Sequence, residues 1–281
     1  MDIAHLQGWT GRSMTAEDTI TPVPLQALTA TLDRDDAPAA PGDEIPPAWH
    51  WLYFLPTARQ SEIGPDGHAE RGGFLPPVPL PRRMWAGSRM EFLAPLRVGQ
   101  RIARTSQIKD VTLKDGKTGP LVFVKVRHEI SAEGRLALAE EHDIVYREAP
   151  RPGDTPPAGT PAPLDATWTR TITPDDVLLF RYSALTFNGH RIHYDRRYVT
   201  TVEGYPGLIV HGPLIATLLL DLLRREMPQA RVTHFSFKAV KPLFDVAPFS
   251  VCGRVEDPNH VTLWARTPEG HVAMQANATL A

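Results

Sequence analysis

One cysteine, Cys252, in 281 residues excludes an intrachain disulfide, and without a CxxC pair there is no thiolate set for a structural zinc. That suits a reducing compartment, with Cys252 expected inside a buried strand. Charge of one sign is lacking too: 30 Lys and Arg stand against 32 Asp and Glu, a net charge of −2, so no global basic field draws the chain to nucleic acid or to an anionic membrane. Long apolar runs are missing. The longest, Pro213 to Leu223, is about two-thirds of the roughly 18 residues of a membrane span. Met1 to Thr10 has no basic segment followed by an apolar core, as a secretory signal would. The expected setting is therefore the cytoplasm, with neither nucleic acid nor membrane as partner.

What the chain does have is an ordinary globular composition, 42% hydrophobic and 22% charged, over a length that suggests two units. Residues 1–148 read as a first domain. Thr21 is a candidate cap for a helix carrying Leu25, Leu28 and Leu32, the aromatic cluster Trp49 to Phe54 is expected to pack, and a Pro/Gly loop runs from Gly64 to Pro81. Four alternating segments follow, Met90 to Phe92, Arg101 to Val111, Leu121 to Ile130 and Leu136 to Tyr146, with hairpin signals at Lys114-Asp115-Gly116 and Ala132-Glu133-Gly134. Residues 149–166, within a stretch containing six prolines, read as a semi-rigid linker. Residues 167–281 repeat the plan: a short strand, a helix start at Thr173-Pro174 with the Thr173 hydroxyl as cap, an apolar helix from about Pro213 to Arg225, and strands at 232–238, 249–255, 261–266 and 271–280. A helix apolar on nearly every face must be wrapped by sheet. The expected fold is α+β, a tandem double hot-dog in which each half is an antiparallel sheet wrapped around a central helix and the two sheets join edge to edge.

The chemistry concentrates in Phe180 to Leu220, where a polar loop runs straight into the apolar helix. Asn188 and His193 lie five residues apart in NGHRIH. His211-Gly212 stands where the helix begins, so the Gly212 amide is an unsatisfied helix-terminal donor, suited to an oxygen that gains negative charge when a thioester becomes an enolate. A metal set of His190, His193, Asp195 and His211 is the competing reading, disfavoured because zinc ligand pairs usually sit on a regular helix or strand. Arg83 and Arg191 are candidates for a phosphate or an acyl carboxylate, which an arginine fork matches.

Phe180 to Leu220 resembles the hydratase motif of the MaoC-like (R)-specific enoyl-CoA hydratases. Asn188 stands at the position of the motif's Asp, His193 at its catalytic His, and Gly212 at the glycine whose amide binds the thioester carbonyl; Tyr194-Asp195 and GLIVHGPL complete the match. Together with WHWLYF, DGH and PRRMWAG in the first half, nearly the whole chain is similar to the mesaconyl-C4-CoA hydratase and hydroxyacyl-thioester dehydratase subgroup. The resemblance implies a hydro-lyase acting on a CoA or acyl-carrier-protein thioester, without metal or redox cofactor, with His193, Asn188 and Gly212 as catalytic residues in the second half. Arg191, Arg83, His211 and Tyr194 are the expected substrate contacts. A C4-dicarboxylic or C5 enoyl-CoA of the mesaconyl or itaconyl type is the expected substrate, with 3-hydroxyacyl thioesters of fatty acid metabolism as the alternative and a non-catalytic thioester-binding protein as the competing class. The chain supplies its own pseudo-dimer, and a homodimer of such chains is compatible with it. One departure matters: Asn188, unlike Asp, cannot accept a proton at neutral pH, so His193 is expected to carry the proton transfer.

Overall fold

The apolar run after His211 folds as the longest helix, α5 (Gly212–Glu226), buried from Leu214 through Leu223. At about 2 kcal/mol per fully buried aliphatic side chain, its six leucines and Ile215 contribute on the order of 10 kcal/mol. It lies in the second half's sheet, against β6 (Trp168–Ile172), β8 (Phe249–Asp257), β9 (His260–Arg266) and β10 (Val272–Leu280). The computed structural model describes residues 1–116, 119–149 and 158–281.

The first half contributes β1 (Ser13–Thr19), β2 (Arg82–Phe92), β3 (Arg101–Gly116), β4 (Gly119–Ala132) and β5 (Arg135–Arg147), with α1 (Ile3–Gln7) and α2 (Pro22–Thr31). The second adds α3 (Asp176–Leu185), α4 (Arg196–Thr201) and β7 (Val232–Ala239). All ten strands form one sheet in the order β1-β3-β4-β5-β2-β7-β10-β9-β8-β6. The halves join where β2 pairs antiparallel with β7, Gly87 opposite Lys238 through Glu91 opposite His234. Gly87 is required there, because a Cβ would stand 2.6 Å from the Phe237 carbonyl oxygen.

The first half differs in what its sheet encloses. Trp49–Leu52 forms a 3-10 turn, and α2 shares one core with α5. The other end of this sheet is covered by Phe74, Leu75, Val78, Leu80 and α1. No helix of α5's length occurs in this half among the described residues.

Local signals were met unevenly. The Glu133-Gly134 hairpin has positive φ at both residues, 48° and 77°, as a tight β-turn demands. The other hairpin tip, at 117–118, lies outside the described residues, as do 150–157 of the expected linker. The end of that linker is held: the Ala162 amide donates to Gly270 O at 2.9 Å and the Val272 amide to Thr160 O at 2.9 Å. Thr21 occupies the cap of α2 without a side-chain hydrogen bond. At α3 the cap is Asp175, not Thr173; its carboxylate accepts from the Leu178 amide at 2.8 Å. No helix among the described residues is long and apolar enough to cross a membrane, and Cys252 is buried in β8.

Candidate active site

His193 ends a 3-10 turn (Arg191–His193) between α3 and α4, and its ring is buried. Its Nδ1 lies 2.7 Å from the Ile209 carbonyl oxygen. A carbonyl only accepts, so Nδ1 carries the proton and Nε2 is left with a lone pair. Burial pushes the imidazole down to about pKa 4 despite that bond, so the ring is neutral at physiological pH. Its face stacks on His211, centroids 3.7 Å apart and planes 17° from parallel.

His211 is the cap residue of α5 and fully buried. Its Nε2 lies 2.8 Å from Ser183 Oγ, while Nδ1 has no hydrogen-bond partner among the described residues. Expected as a substrate contact, His211 instead backs the His193 ring from inside the core. Because its side chain does not cap α5, the helix opens with the Gly212 amide, whose dipole end favours negative charge. A Cβ on Gly212 would come no nearer than 3.9 Å to the Trp85 carbonyl oxygen. Helix packing therefore does not require glycine here, and the space beside the amide is open.

Asn188 turns its side-chain oxygen onto its own loop, accepting from the His190 amide at 3.0 Å. Arg191 and Tyr194, both expected to touch substrate, are engaged elsewhere. Arg191 donates to Asp195 Oδ2 from Nε at 3.0 Å and Nη2 at 2.8 Å, and to Pro65 O at 2.9 Å, and lies over the Tyr198 ring. Tyr194 donates its hydroxyl to Gly189 O at 2.9 Å. These bonds build the loop.

Arg83 behaves differently. Arg82 is taken up by Tyr205 Oη and Glu203 O, each at 2.6 Å. Arg83, half-buried on β2, has no ion pair or aligned hydrogen bond among the described residues. Burial lowers the pKa of His68 and His190 and the nearby Arg83 adds to it, while at Tyr146 burial raises the pKa and Arg83 opposes the rise. The Tyr146 hydroxyl is buried without an aligned hydrogen-bond partner among the described residues, although Arg83 lies within reach of it.

Sequence reasoning missed two groups. The first is the 64–68 loop of the first half, which crosses the 188–193 loop so tightly that a Cβ on Gly67 would fall 1.8 Å from Gly189 O. The Arg191 amide donates to Asp66 O at 2.9 Å. Asp66 Oδ2 accepts from His68 Nδ1 at 3.0 Å, the His68 ring packs 4.0 Å from His190, and His190 stands edge-on to His193 at 5.4 Å. Burial opposes the charge of Asp66, but the bonds from His68 outweigh it and hold the carboxyl below its usual range. Burial also lowers His190, to about 2, helped by the fields of His68 and His193. Ligand atoms of Asp66, His68 and His190 lie within 4.8 Å of one another, a span that a divalent cation could bridge. Against that, Oδ2 of Asp66 is already bonded to His68 and the Arg83 cation faces both imidazoles.

The second group crosses the first half's sheet. Buried Glu140 accepts from Ser88 Oγ at 2.7 Å and Trp51 Nε1 at 3.2 Å, and lies 3.0 Å from His50 Nε2. Burial works against its charge, but His142 and His50 outweigh it and hold the carboxyl well below its ordinary range. The cluster fastens the Trp49–Leu52 turn to the sheet, and the Trp85 ring lies against His142, tilted by 34° with centroids 4.0 Å apart.

Residues 48–245 match the family model described as hydroxyacyl-thioester dehydratase type 2. A mesaconyl-C(4)-CoA hydratase from Chloroflexus aurantiacus is 47% identical over 283 residues, covering 100% of this chain and 99% of that protein. Among solved structures, HtdX of Mycobacterium tuberculosis aligns with a TM-score of 0.67 at 18% identity, covering 96% of this chain and 100% of its own. A conserved M. tuberculosis protein described as a double hotdog fold aligns with a TM-score of 0.61 at 13% identity, over 97% and 96%.

Proposed function

Because the chain belongs to the type 2 hydroxyacyl-thioester dehydratase family and is a hydro-lyase, we propose that it hydrates a short branched or dicarboxylic enoyl-CoA of the mesaconyl-C4-CoA or itaconyl-CoA type. The observation that carries the reaction is the pairing of a neutral His193, its Nε2 lone pair set by the bond to Ile209 O, with the uncapped start of α5 at Gly212.

In the dehydration direction His193 Nε2 takes the proton alpha to the thioester, and the Gly212 amide receives the negative charge that develops on the carbonyl oxygen. Hydration runs the same steps backwards. Asn188 has a subsidiary part: its oxygen holds the His190 amide and so shapes the loop. Substrate choice follows the 47% identical relative, with Arg83 as the receptor for an acyl carboxylate. A half-buried cation that has no counter-ion among the described residues gains from a charged partner. The dehydratase reading, on 3-hydroxyacyl-CoA or acyl carrier protein, rests on the family description.

Loss of enoyl-thioester absorbance on mesaconyl-C4-CoA, itaconyl-CoA and crotonyl-CoA tests the reading, with His193→Ala and Arg83→Met as variants. The expected result is preference for a dicarboxylic thioester, at least about 100-fold loss in His193→Ala, and loss of the preference alone in Arg83→Met. Full rate in His193→Ala, or wild-type inertness on all three, sinks it.

A further inference from the structure

Where the MaoC-like motif that this segment resembles has Asp, the chain has Asn188, which has no proton to exchange at neutral pH, yet removing water from a hydroxyacyl thioester moves two protons. One leaves the alpha carbon and the other joins the departing hydroxide. His193 accounts for the first. We propose that His68, oriented by Asp66 and carried in by the first half, handles the second; this rests on the hydro-lyase reading above.

Three observations place the pair in the site. The loop that bears it is fixed to the catalytic loop by backbone, through the Arg191 amide on Asp66 O and Arg191 Nη1 on Pro65 O, each at 2.9 Å, and by the Gly67–Gly189 crossing. Docking is thus achieved without the His68 ring, which makes no hydrogen bond to the catalytic loop among the described residues. The ring is held instead by Asp66: Oδ2 accepts from Nδ1 at 3.0 Å and Oδ1 from the His68 amide at 3.0 Å. A carboxylate on Nδ1 fixes the tautomer, leaves Nε2 for proton exchange and stabilises the imidazolium, which is the arrangement of a catalytic acid–base histidine. Finally, the ring is only half-buried and lies against His190, which in turn borders His193.

The proton account closes. In dehydration His68 starts as the imidazolium, Nδ1–H on Asp66 and Nε2–H toward the substrate: the Cα–H bond breaks to His193 Nε2, the Cβ–O bond breaks, and the departing hydroxide takes the His68 Nε2 proton to leave as water. His193 is then protonated and His68 neutral. The proton returns from one to the other across the narrow space occupied by His190, and the enzyme is reset. Groups facing His68 are Asp66 on its own loop, His190 on the catalytic loop, Arg83 on β2 and Arg71. Burial, the largest effect, opposes the charged ring, as do Arg83 and Arg71, while Asp66 favours it; the pKa falls below the ordinary imidazole value, so dehydration draws on the protonated fraction of His68.

The test follows the two protons separately in full-length protein. The hydrated C5 dicarboxylic thioester and 3-hydroxybutyryl-CoA are incubated in D2O, with dehydration read by enoyl absorbance and alpha-proton exchange by mass spectrometry. In His68→Gln, dehydration is expected to fall by at least about 100-fold while alpha exchange, the work of His193, stays within about three-fold. His193→Gln loses both, and Asp66→Asn follows His68→Gln more mildly. Unchanged melting temperatures establish that the variants fold. Dehydration within about three-fold of wild type in His68→Gln overturns the proposal, as does a proportional fall of both readouts, which marks a merely structural histidine. Loss of activity on chelation, restored by zinc, also overturns it, by making Asp66, His68 and His190 metal ligands. Wild type inert on every thioester defeats the underlying hydro-lyase reading instead.

Discussion

Replacing Gly212 with alanine separates packing from chemistry at the head of α5. The nearest atom to the new methyl would be Trp85 O at 3.9 Å, ordinary van der Waals contact, and alanine is the better helix former, so the melting temperature should hold or rise slightly. In the proposed role of Gly212, the methyl would instead occupy the space through which the thioester carbonyl approaches the amide. Turnover should drop by at least about 10-fold, in line with loss of one oxyanion donor or its geometry; parallel calorimetry and enoyl-absorbance assays check this, and undiminished turnover would remove Gly212 from the site. Asn188, His193 and Gly212 could be put forward from the sequence because a local motif spans them. Their neighbours' contacts could not, since the ring behind His193 and the loop bonds of Arg191 and Tyr194 depend on which way each side chain turns. Asp66 and His68 stand more than a hundred residues away, and DGH was visible only as a resemblance; nothing in its spacing says that this loop crosses Gly189.

At the scale of elements, α5 was placed almost to the residue, but one feature broke its apolar pattern. Asp221, buried within it, accepts from Arg34 Nη1 and Arg170 Nη1 at 2.8 Å each and from Arg225 Nε at 2.7 Å. Arg225 also donates to Leu32 O at 2.8 Å, so one carboxylate ties together α5, β6 and the chain after α2. Removing one partner of a buried ion pair strands the others. Asp221→Ala should therefore cost about 3–5 kcal/mol in urea unfolding, and a loss under about 1 kcal/mol would mean that the arginines find water instead. Strand β1 escaped the sequence reading for a related reason. An edge strand exposed at most of its positions has no apolar alternation to show, and only pairing with β3 reveals it.

For the whole molecule, the buried histidines set how stability responds to acid. His193 is pushed from an ordinary value of about 6.5 down to about 4 in the fold, and His190 and His211 move the same way. Between those values the unfolded chain binds protons that the native site refuses. Stability from this cluster is thus complete above about pH 6.5 and declines as pH falls toward 4. At about 1.4 kcal/mol per pKa unit, His193 alone accounts for on the order of 3 kcal/mol. Unfolding midpoints should hold between pH 7.5 and about 6.5 and fall from there to pH 4.5, and a flat profile would contradict the burial of these rings. The two halves and their edge-to-edge sheet were expected from element order; how the first half fills its sheet without a long helix depends on tertiary packing of loops and of Glu140. The crossing of Gly67 over Gly189 has a further meaning for inheritance. In a dimer of identical subunits every substitution is made twice, once in each symmetric copy. Here a loop of one half meets a different loop of the other, so a mutation in either is made once, and each half is free to specialise without burdening its counterpart.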